Sequence, residues 1–522
     1  MSPRRLQAFC TRPKSVSARL SVESWKNGVD VFFTQNIPFS SRNGPVFGRQ
    51  VADLAASIAQ SSGGGPYHIY EFGAGLGLLA KYVLDALKSH YPAVYADTVL
   101  HLTDGSPETI RALAQASFFK PHRAHLRFQV MELAHLDIAT AEPALLCYSA
   151  YLLDSLDARH VRYSNGVLSE VMIQTSLTSD PMIQDTTVFP PTRLSEAEIV
   201  ALFQDLGAPK ARHLAPQLVT VIDETTRAIP IDQLPHWTPD EKADIRAFIQ
   251  SLPGSRRNLQ FNYIPQLRDH FIQIQRHLRP DGLILVSDFG LSDTVMAPAI
   301  SQLTARYGTT MFYSVCFPYL TFLTQSAGGV SWITSRELDL TQEWLYTPSS
   351  RHLDSINTTI PATSDPSIDG ISLALDAIDG LAPDDPDYMA MVATTIGTLS
   401  KAEQGDYYFL KKLSLQLFQD GWFADAFKWA QKMVDEYRDF AVPGYLIMGW
   451  IFQKQGDFDD AVRCYQAVIA RCPTMGIGYA SLGAIFFAQK NHAKAKVQLM
   501  TSLRFSPPSE LPMILKSLEK IG

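Results

Sequence analysis

The segment from Glu71 to Gly77 has the residue types and spacing needed to bind a nucleoside cofactor. It runs Glu-Phe-Gly-Ala-Gly-Leu-Gly between a strand-like apolar run and a helix-like apolar run. Because glycine has no Cβ, this turn can approach a ligand closely, and the next helix directs its free backbone N–H groups at that ligand. The spacing Gly-x-Gly-x-Gly is one residue shorter than the Gly-x-Gly-x-x-Gly that binds a dinucleotide pyrophosphate. Together with the preceding acid, it favours S-adenosylmethionine over NAD.

Polar residues also follow the next strand-like runs. Asp104 follows a predicted strand at residues 98–103, and an acid at that position can accept both ribose hydroxyls of a nucleoside cofactor. Glu132 follows a run at 126–130, where an adenine ring could lie, and Ser149 follows a run at 144–148. The predicted cofactor-binding residues are Glu71, Gly73, Gly75, Gly77, Asp104, Glu132 and Ser149.

The elements that must position these residues alternate between apolar runs and helical segments. This pattern predicts an α/β Rossmann-like domain whose parallel sheet is covered by helices on both faces. A further apolar run at 283–287 ends at Asp288, and Asp154 lies shortly after the run at 144–148. Ligands of such sheets bind at the carboxyl ends of the strands, where all these acids fall.

Length and composition limit the possible classes of protein. At 522 residues we expect about three units rather than one domain. The net charge of −7, without a basic stripe interleaved with aromatic residues, argues against a nucleic-acid partner. The five scattered cysteines predict a reducing compartment, and we predict no metal site because none of them has metal-ligand spacing. No run of about 20 apolar residues occurs, so no membrane span is predicted.

The first residues differ in composition from the rest. Five basic residues and no acid precede Glu23, which is compatible with a mitochondrial transit peptide. Pro3 and Pro13 interrupt any long amphipathic helix, so we predict a disordered start over residues 1–24. The predicted location is cytoplasmic, with mitochondrial targeting as the alternative.

The C-terminal part has a different organisation. A linker rich in proline and aspartate is predicted over 347–400, with one short helix at 371–378. Beyond it, Gly449 and Ala461 recur 34 residues later as Gly483 and Ala495. This period resembles the tetratricopeptide repeat and predicts an all-α domain over 401–522, closed by a capping helix at 511–521. We expect its groove to bind a protein or peptide; docking on the catalytic half or on another copy is the alternative.

Taken together, the strand ends resemble the MidA-type family of class I S-adenosylmethionine-dependent methyltransferases, which includes the mitochondrial complex I assembly methyltransferase. The parts that carry the resemblance are Phe32-Phe33-Thr34, Phe47-Gly48, the glycine turn with Glu71, Asp104-Gly105-Ser106-Pro107, Leu152-Leu153-Asp154-Ser155-Leu156 and Ser287-Asp288-Phe289-Gly290. The resemblance covers about residues 25–345 and implies a methyltransferase domain over 25–346. Helix-start signals such as Thr238-Pro239-Asp240-Glu241 predict a helical insert at about 191–275 between two core strands. The resemblance also implies methylation of a protein, with an arginine guanidinium as the known kind of target.

An arginine acceptor would need carboxylates to orient its charged guanidinium and to accept a proton. The family's acid near the acceptor is Tyr151 here, and its closing proline is Asp157. The candidate catalytic residues are therefore Asp154, Asp288 and Asp157, with Asp154 first because it follows the fourth strand directly. Two alternatives stay open: a small-molecule methyltransferase of the same fold, and a non-catalytic scaffold or assembly factor that keeps the cofactor site.

Overall fold

The structure of the protein is a computed structural model. It describes residues 4–35, 37, 44–131, 142–188, 190–252, 258–291, 303–325, 328–334, 341–349 and 370–521. No helix within these ranges is long and apolar enough to cross a membrane.

The strands, in chain order, are β1 (Arg5–Cys10), β2 (Tyr67–Phe72), β3 (Thr98–Asp104), β4 (Leu126–Val130), β5 (Ala144–Ala150), β6 (Arg159–Ser164), β7 (Val167–Leu177), β8 (Gln184–Asp185), β9 (Thr192–Arg193), β10 (Ile222–Pro230), β11 (Asn258–Tyr263), β12 (Leu278–Leu291), β13 (Thr304–Tyr307), β14 (Thr310–Tyr313), β15 (Val315–Cys316), β16 (Val330–Thr334) and β17 (Thr341–Thr347).

The helices before residue 350 are α1 (Val16–Trp25), α2 (Asp30–Thr34), α3 (Pro45–Ser61), α4 (Leu78–His90), α5 (Pro92–Ala96), α6 (Pro107–Gln115), α7 (Glu196–Gln204), α8 (Pro209–Leu218), α9 (Pro239–Ser251), α10 (Leu267–His277) and α11 (Phe317–Gln325). The later helices are α12 (Gly370–Asp379), α13 (Tyr388–Gly397), α14 (Tyr407–Gln419), α15 (Phe423–Tyr437), α16 (Val442–Gln455), α17 (Phe458–Arg471), α18 (Gly476–Ala488), α19 (His492–Phe505) and α20 (Leu511–Glu519). We refer to α12–α20 as the helical array.

The main sheet has the order β16-β17-β12-β5-β2-β3-β4, with the short β15 also paired to β12. The five strands from β12 to β4 are parallel, whereas β17 and β16 are antiparallel to their neighbours. Alternate residues of β2 point to opposite faces: Ile69 packs in one apolar cluster with α3 and α4, and Tyr70 in another with α10 and α11. The predicted parallel core covered on both faces is therefore confirmed, and so are its strands.

A second sheet, formed by β1 and by strands that lie between β5 and β12 in the chain, corrects the expected helical insert at 191–275. It is antiparallel, with the order β1-β7-β6-β11 and with β10 also paired to β7. Strands β10 and β11 lie inside the segment expected to be helical, alongside α7, α8, α9 and most of α10. The ladder from β10 to β7 joins Ile222 to Leu177 at one end and Pro230 to Ser169 at the other. Such pairing between distant segments overrides local helix propensity.

The disordered start expected over 1–24 is also corrected, because residues 4–25 hold β1 and α1. Strand β1 pairs with β7, and Val16 and Leu20 of α1 pack in a buried cluster with α7 and α8. These partners lie more than 150 residues away in the chain, so local composition could not reveal them.

The helical array is built from helix pairs. The predicted helix at 371–378 is confirmed as α12, and the predicted terminal helix as α20. A second helix, α13, also lies in the segment predicted as linker. In the pair α16–α17, a Cβ on Gly449 would lie 2.5 Å from the Tyr465 ring. In the pair α18–α19, a Cβ on Gly483 would lie 2.6 Å from Leu499. Glycine at these two positions therefore permits the close helix packing.

The array packs directly on the N-terminal half that contains the two sheets. The Tyr82 hydroxyl of α4 hydrogen-bonds Asp406 (3.1 Å) and the Tyr437 hydroxyl (2.8 Å), and Lys81 pairs with Glu436 at 3.0 Å. One buried apolar cluster contains residues of α3, α4 and the main sheet together with residues of α12–α17. Docking on the catalytic half, which the sequence left as an alternative, is therefore present in the structure. A separate protein partner stays a prediction.

Candidate functional site

The glycine turn, residues 73–77, connects the carboxyl end of β2 to α4. Gly75 has a φ of 52° and Gly77 a φ of 69°, both in the left-handed region that favours glycine. Gly77 caps the N-terminus of α4, and a Cβ there would lie 2.7 Å from Leu113. The turn thus presents the N-terminal end of a 13-residue helix, which is favourable for a negatively charged ligand group.

Asp104, at the carboxyl end of β3, joins the glycine turn to the start of α6. Its Oδ2 accepts the Gly75 backbone N–H at 3.2 Å, and its Oδ1 accepts the Ser106 N–H at 2.9 Å. Burial raises the pKa of this carboxyl group, against the opposing effect of these two hydrogen bonds. A carboxylate has about four lone-pair positions, so the two N–H bonds leave acceptor capacity for two further donors.

Glu71 lies one strand away from Asp104, inside the sheet. Its side chain is buried, and its Oε2 accepts the Tyr148 hydroxyl at 2.8 Å across the β2–β5 pair. Burial, with a smaller contribution from the negative charge of Asp104, raises the pKa of Glu71 to about 8. In the state described here, the Glu71 carboxyl group is therefore largely protonated at neutral pH.

The predicted catalytic carboxyls Asp154 and Asp288 are both buried at the carboxyl ends of β5 and β12. Asp288 Oδ2 accepts the backbone N–H groups of Leu152 (3.1 Å), Leu153 (2.7 Å) and Asp154 (3.4 Å), and its Oδ1 accepts that of Phe289 (2.8 Å). Asp288 therefore anchors the short 3₁₀ turn Leu153–Ser155.

The two oxygens of Asp154 have no hydrogen-bond partner among the described residues. Burial, reinforced by the neighbouring Asp288, raises the pKa of Asp154 well above its usual range. Burial likewise raises the pKa of Asp288, to about 7, despite its four N–H donors. An unpartnered buried carboxyl is costly unless it is protonated, so Asp154 is neutral in this state.

Tyr151 occupies the position where the resemblance places an acid. Its φ of 54° lies in the left-handed region, which is unusual for a bulky residue. Its backbone N–H donates to the Ser287 carbonyl at 2.9 Å, and its ring lies 5.0 Å from that of Phe289. The third predicted acid, Asp157, is exposed just beyond this turn.

Most of the predicted site residues come together at one edge of the main sheet. The glycine turn, Glu71 and Asp104 are joined by the Gly75–Asp104 bond and by Thr103, whose hydroxyl donates to the Glu71 carbonyl at 2.9 Å. Ser149 is buried on β5, level with Phe72 of β2. Leu152 lies between the glycine turn and Asp288. A Cβ on Gly73 would lie 2.7 Å from the Leu152 side chain, and the Leu152 backbone N–H donates to Asp288. Glu132 lies outside the described residues.

Comparison with known proteins identifies the family. A family model described as "Putative S-adenosyl-L-methionine-dependent methyltransferase" matches residues 46–312, just over half of the 522-residue chain. The chain belongs to this methyltransferase family. S-adenosyl-L-methionine is accordingly its cofactor and methyl donor. A comparison with curated proteins found no match.

Solved structures show more distant likenesses to this methyltransferase. A protein from Burkholderia thailandensis solved with S-adenosyl-homocysteine bound is 15% identical, with a TM-score of 0.37 over 76% of this chain and 84% of that one. An uncharacterized protein from the same organism is 13% identical, with a TM-score of 0.38 over 65% and 95%. The CcbJ methyltransferase from Streptomyces caelestis is 12% identical, with a TM-score of 0.27 over 60% and 100%. All three TM-scores are below 0.5, so the family assignment does not rest on them.

The chemistry of the site fits this cofactor. Asp104 retains acceptor capacity for a pair of vicinal hydroxyls, and the start of α4 suits the carboxylate of the methionine portion. Within the described part of the chain, no group of three or more potential metal ligands comes together.

Sequence reasoning assigned no contact in the site to three residues that shape it. Tyr148 lies level with Glu71 on the neighbouring strand, which the register of two predicted parallel strands could have suggested. Leu152 and Phe32 are the nearest side chains to where a Cβ would stand on Gly73 and Gly75, respectively. Phe32 and Leu152 were known only as parts of family motifs, and no local signal indicated these contacts.

Proposed function

We propose that this methyltransferase transfers the methyl group of S-adenosylmethionine to a protein. The cofactor part of this proposal is best supported by the junction of Gly75 and Asp104, where a carboxylate with acceptor capacity left meets a glycine turn and a helix N-terminus. In this proposal the ribose hydroxyls donate to Asp104, and the glycine turn supports the methionine portion. Glu71 and Ser149 line the same edge, and Glu132 follows β4 where the adenine would lie.

Methyl transfer is an in-line displacement, so the protein's main task is alignment. The acceptor's lone pair forms the new bond to carbon, the carbon–sulfur bond breaks with its electrons going to sulfur, and the acceptor then loses a proton. We propose Asp154 as the group that receives this proton. Its carboxyl is neutral in the state described here, so it must first release its own proton to solvent, and a guanidinium placed beside it would favour the ionised form that then acts as a base.

We further propose that the pairs α14–α15, α16–α17 and α18–α19 are tetratricopeptide repeats, with α20 as the cap. The 34-residue recurrence of Gly449 and Ala461 and the close helix contacts at Gly449 and Gly483 support this. Such repeats would bind the acceptor protein or a partner peptide, which raises the local concentration of acceptor near the active site.

A second candidate is a scaffold or assembly factor that binds the cofactor without transferring its methyl group. It is favoured by the state of the two buried acids: Asp288 is engaged with four backbone N–H groups, and Asp154 is closed off from solvent. In this arrangement neither Asp154 nor Asp288 offers a free charged oxygen to an acceptor until the site rearranges.

Incubation of the full chain with methyl-labelled donor and a cell extract tests the proposal. We expect label in protein with the parent and at least tenfold less with Asp154→Asn, which keeps size but removes the basic form. Asp180→Asn, at an exposed aspartate outside the site, is the matched control and should label as the parent does. Label confined to small molecules would contradict the protein acceptor. Cofactor binding without any label would favour the scaffold.

A further inference from the structure

Helix α2 lies directly on the glycine turn. A Cβ on Gly75 would meet the Phe32 ring at 3.1 Å, so this ring covers the glycine at which the cofactor is proposed to bind. Just before α2, Gly28 has a φ of 59°, and a Cβ there would lie 3.1 Å from Glu108 of α6. The segment from Gly28 to Thr34 therefore spans the carboxyl ends of both β2 and β3.

The other contacts of α2 are made with the helical array. The Thr474 hydroxyl, in the loop between α17 and α18, donates to Asp30 Oδ2 at 2.8 Å, across 444 residues of sequence. Phe33 packs against the buried apolar cluster that contains Val442 and Leu446 of α16. One short helix thus contacts the glycine turn through Phe32 and the array through its neighbours Asp30 and Phe33.

The opposite end of α2 is held by the catalytic half. Gln35 accepts the backbone N–H and the hydroxyl of Thr309, both at 2.9 Å. The Trp25 ring lies edge-on to Phe32 at 5.9 Å. With its C-terminal end fixed in this way, α2 is also held at its first turn by the array contact at Asp30.

We propose that Thr474 is a positioning residue of the cofactor site, holding Asp30 and thereby keeping the Phe32 ring over the glycine turn. This inference rests on the proposed place of the cofactor at Gly75 and Asp104. Loss of the Thr474–Asp30 bond would favour an arrangement in which α2 has moved off the turn, and a bound ligand would leave from that arrangement faster. The helical array would then have two roles: it would regulate how long the cofactor stays bound, and it would bind the protein partner.

The test is the dissociation rate constant of S-adenosylhomocysteine from the full chain, measured by stopped-flow displacement. Thr474→Val should raise it about fivefold, the change expected for loss of one ordinary hydrogen bond, and Asp30→Ala, which removes the acceptor itself, should raise it at least as much. The double variant should show no larger increase than Asp30→Ala alone. Thr474→Ser keeps the hydroxyl and should restore the parent value.

Two controls separate positioning from general destabilisation. Thr501→Val removes a threonine hydroxyl of the array whose bond, among the described residues, lies within its own helix, to the Val497 carbonyl at 2.9 Å, and it should leave the rate unchanged. Phe32→Ala should itself speed dissociation, and adding Thr474→Val to it should have no further effect. The inference is overturned if Thr474→Val matches the parent, if Thr474→Ser fails to rescue, or if Thr501→Val acts equally. A parent chain that does not bind S-adenosylhomocysteine would instead overturn the proposed function.

Discussion

Replacement of Asp104 by alanine should weaken cofactor binding about 100-fold. In the proposed complex, this carboxylate accepts two ribose hydroxyls in addition to the two backbone N–H groups it already holds. A hydrogen bond to a charged group is worth about 1.5–3 kcal/mol, so the loss of two predicts roughly 3 kcal/mol, or about 100-fold in affinity. The carboxylate also holds Gly75 in place, which adds to the loss in the same direction.

Isothermal titration with S-adenosylhomocysteine measures this loss. Asp97 provides a matched control, because it is exposed and precedes the same strand β3 at its amino end, roughly 20 Å away along the strand. Asp97→Ala should bind as the parent does. Asp104→Asn, which keeps one acceptor oxygen, should give an intermediate loss. The reasoning is refuted if Asp104→Ala binds within threefold of the parent while remaining folded by circular dichroism.

Three further predictions concern stability. Glu71 has a folded pKa of about 8 against an ordinary value of 4.5, so its stabilising contribution is present below the ordinary value and is lost as the pH rises through 8. The free energy of unfolding of the parent should thus fall by up to about 1.4 kcal/mol per pH unit more steeply than that of Glu71→Gln between pH 5 and 8. Urea titrations with parallel pH profiles would contradict this. Gly449→Ala should destabilise the chain by about 1–3 kcal/mol through overpacking on Tyr465, whereas Gly397→Ala, where a Cβ would meet nothing within 4 Å, should be neutral in the same assay. Tyr437→Phe removes the hydroxyl that bonds Tyr82 and the Gly405 carbonyl and should lower the free energy of unfolding by about 1–3 kcal/mol; an unchanged urea midpoint would count against an energetic role for this contact.

Local patterns predicted the catalytic core well because each signal lay within a short segment. The glycine turn, the strand before it and Asp104 after the next strand all occupy the places expected from their spacing. Parallel strands bring their carboxyl ends to one edge, so sequence order alone placed these residues together.

The features that sequence reasoning missed depend on contacts between distant segments. Strand β1 forms only because β7 supplies its hydrogen-bond partners, and Tyr82 meets Asp406 across 324 residues. The same holds for Phe32 at the glycine turn. The two buried acids illustrate a different limit. Their order in the chain predicted that both lie at the carboxyl ends of the strands. Only the structure shows that Asp288 accepts backbone N–H groups while Asp154 lacks a partner among the described residues.

The most direct test of the account is a crystal structure of the full chain with S-adenosylhomocysteine. The account predicts that the ribose hydroxyls lie within hydrogen-bonding distance of Asp104 and that the amino-acid end of the ligand lies at the glycine turn before α4. Ligand bound elsewhere, or a ribose that does not contact Asp104, would contradict it.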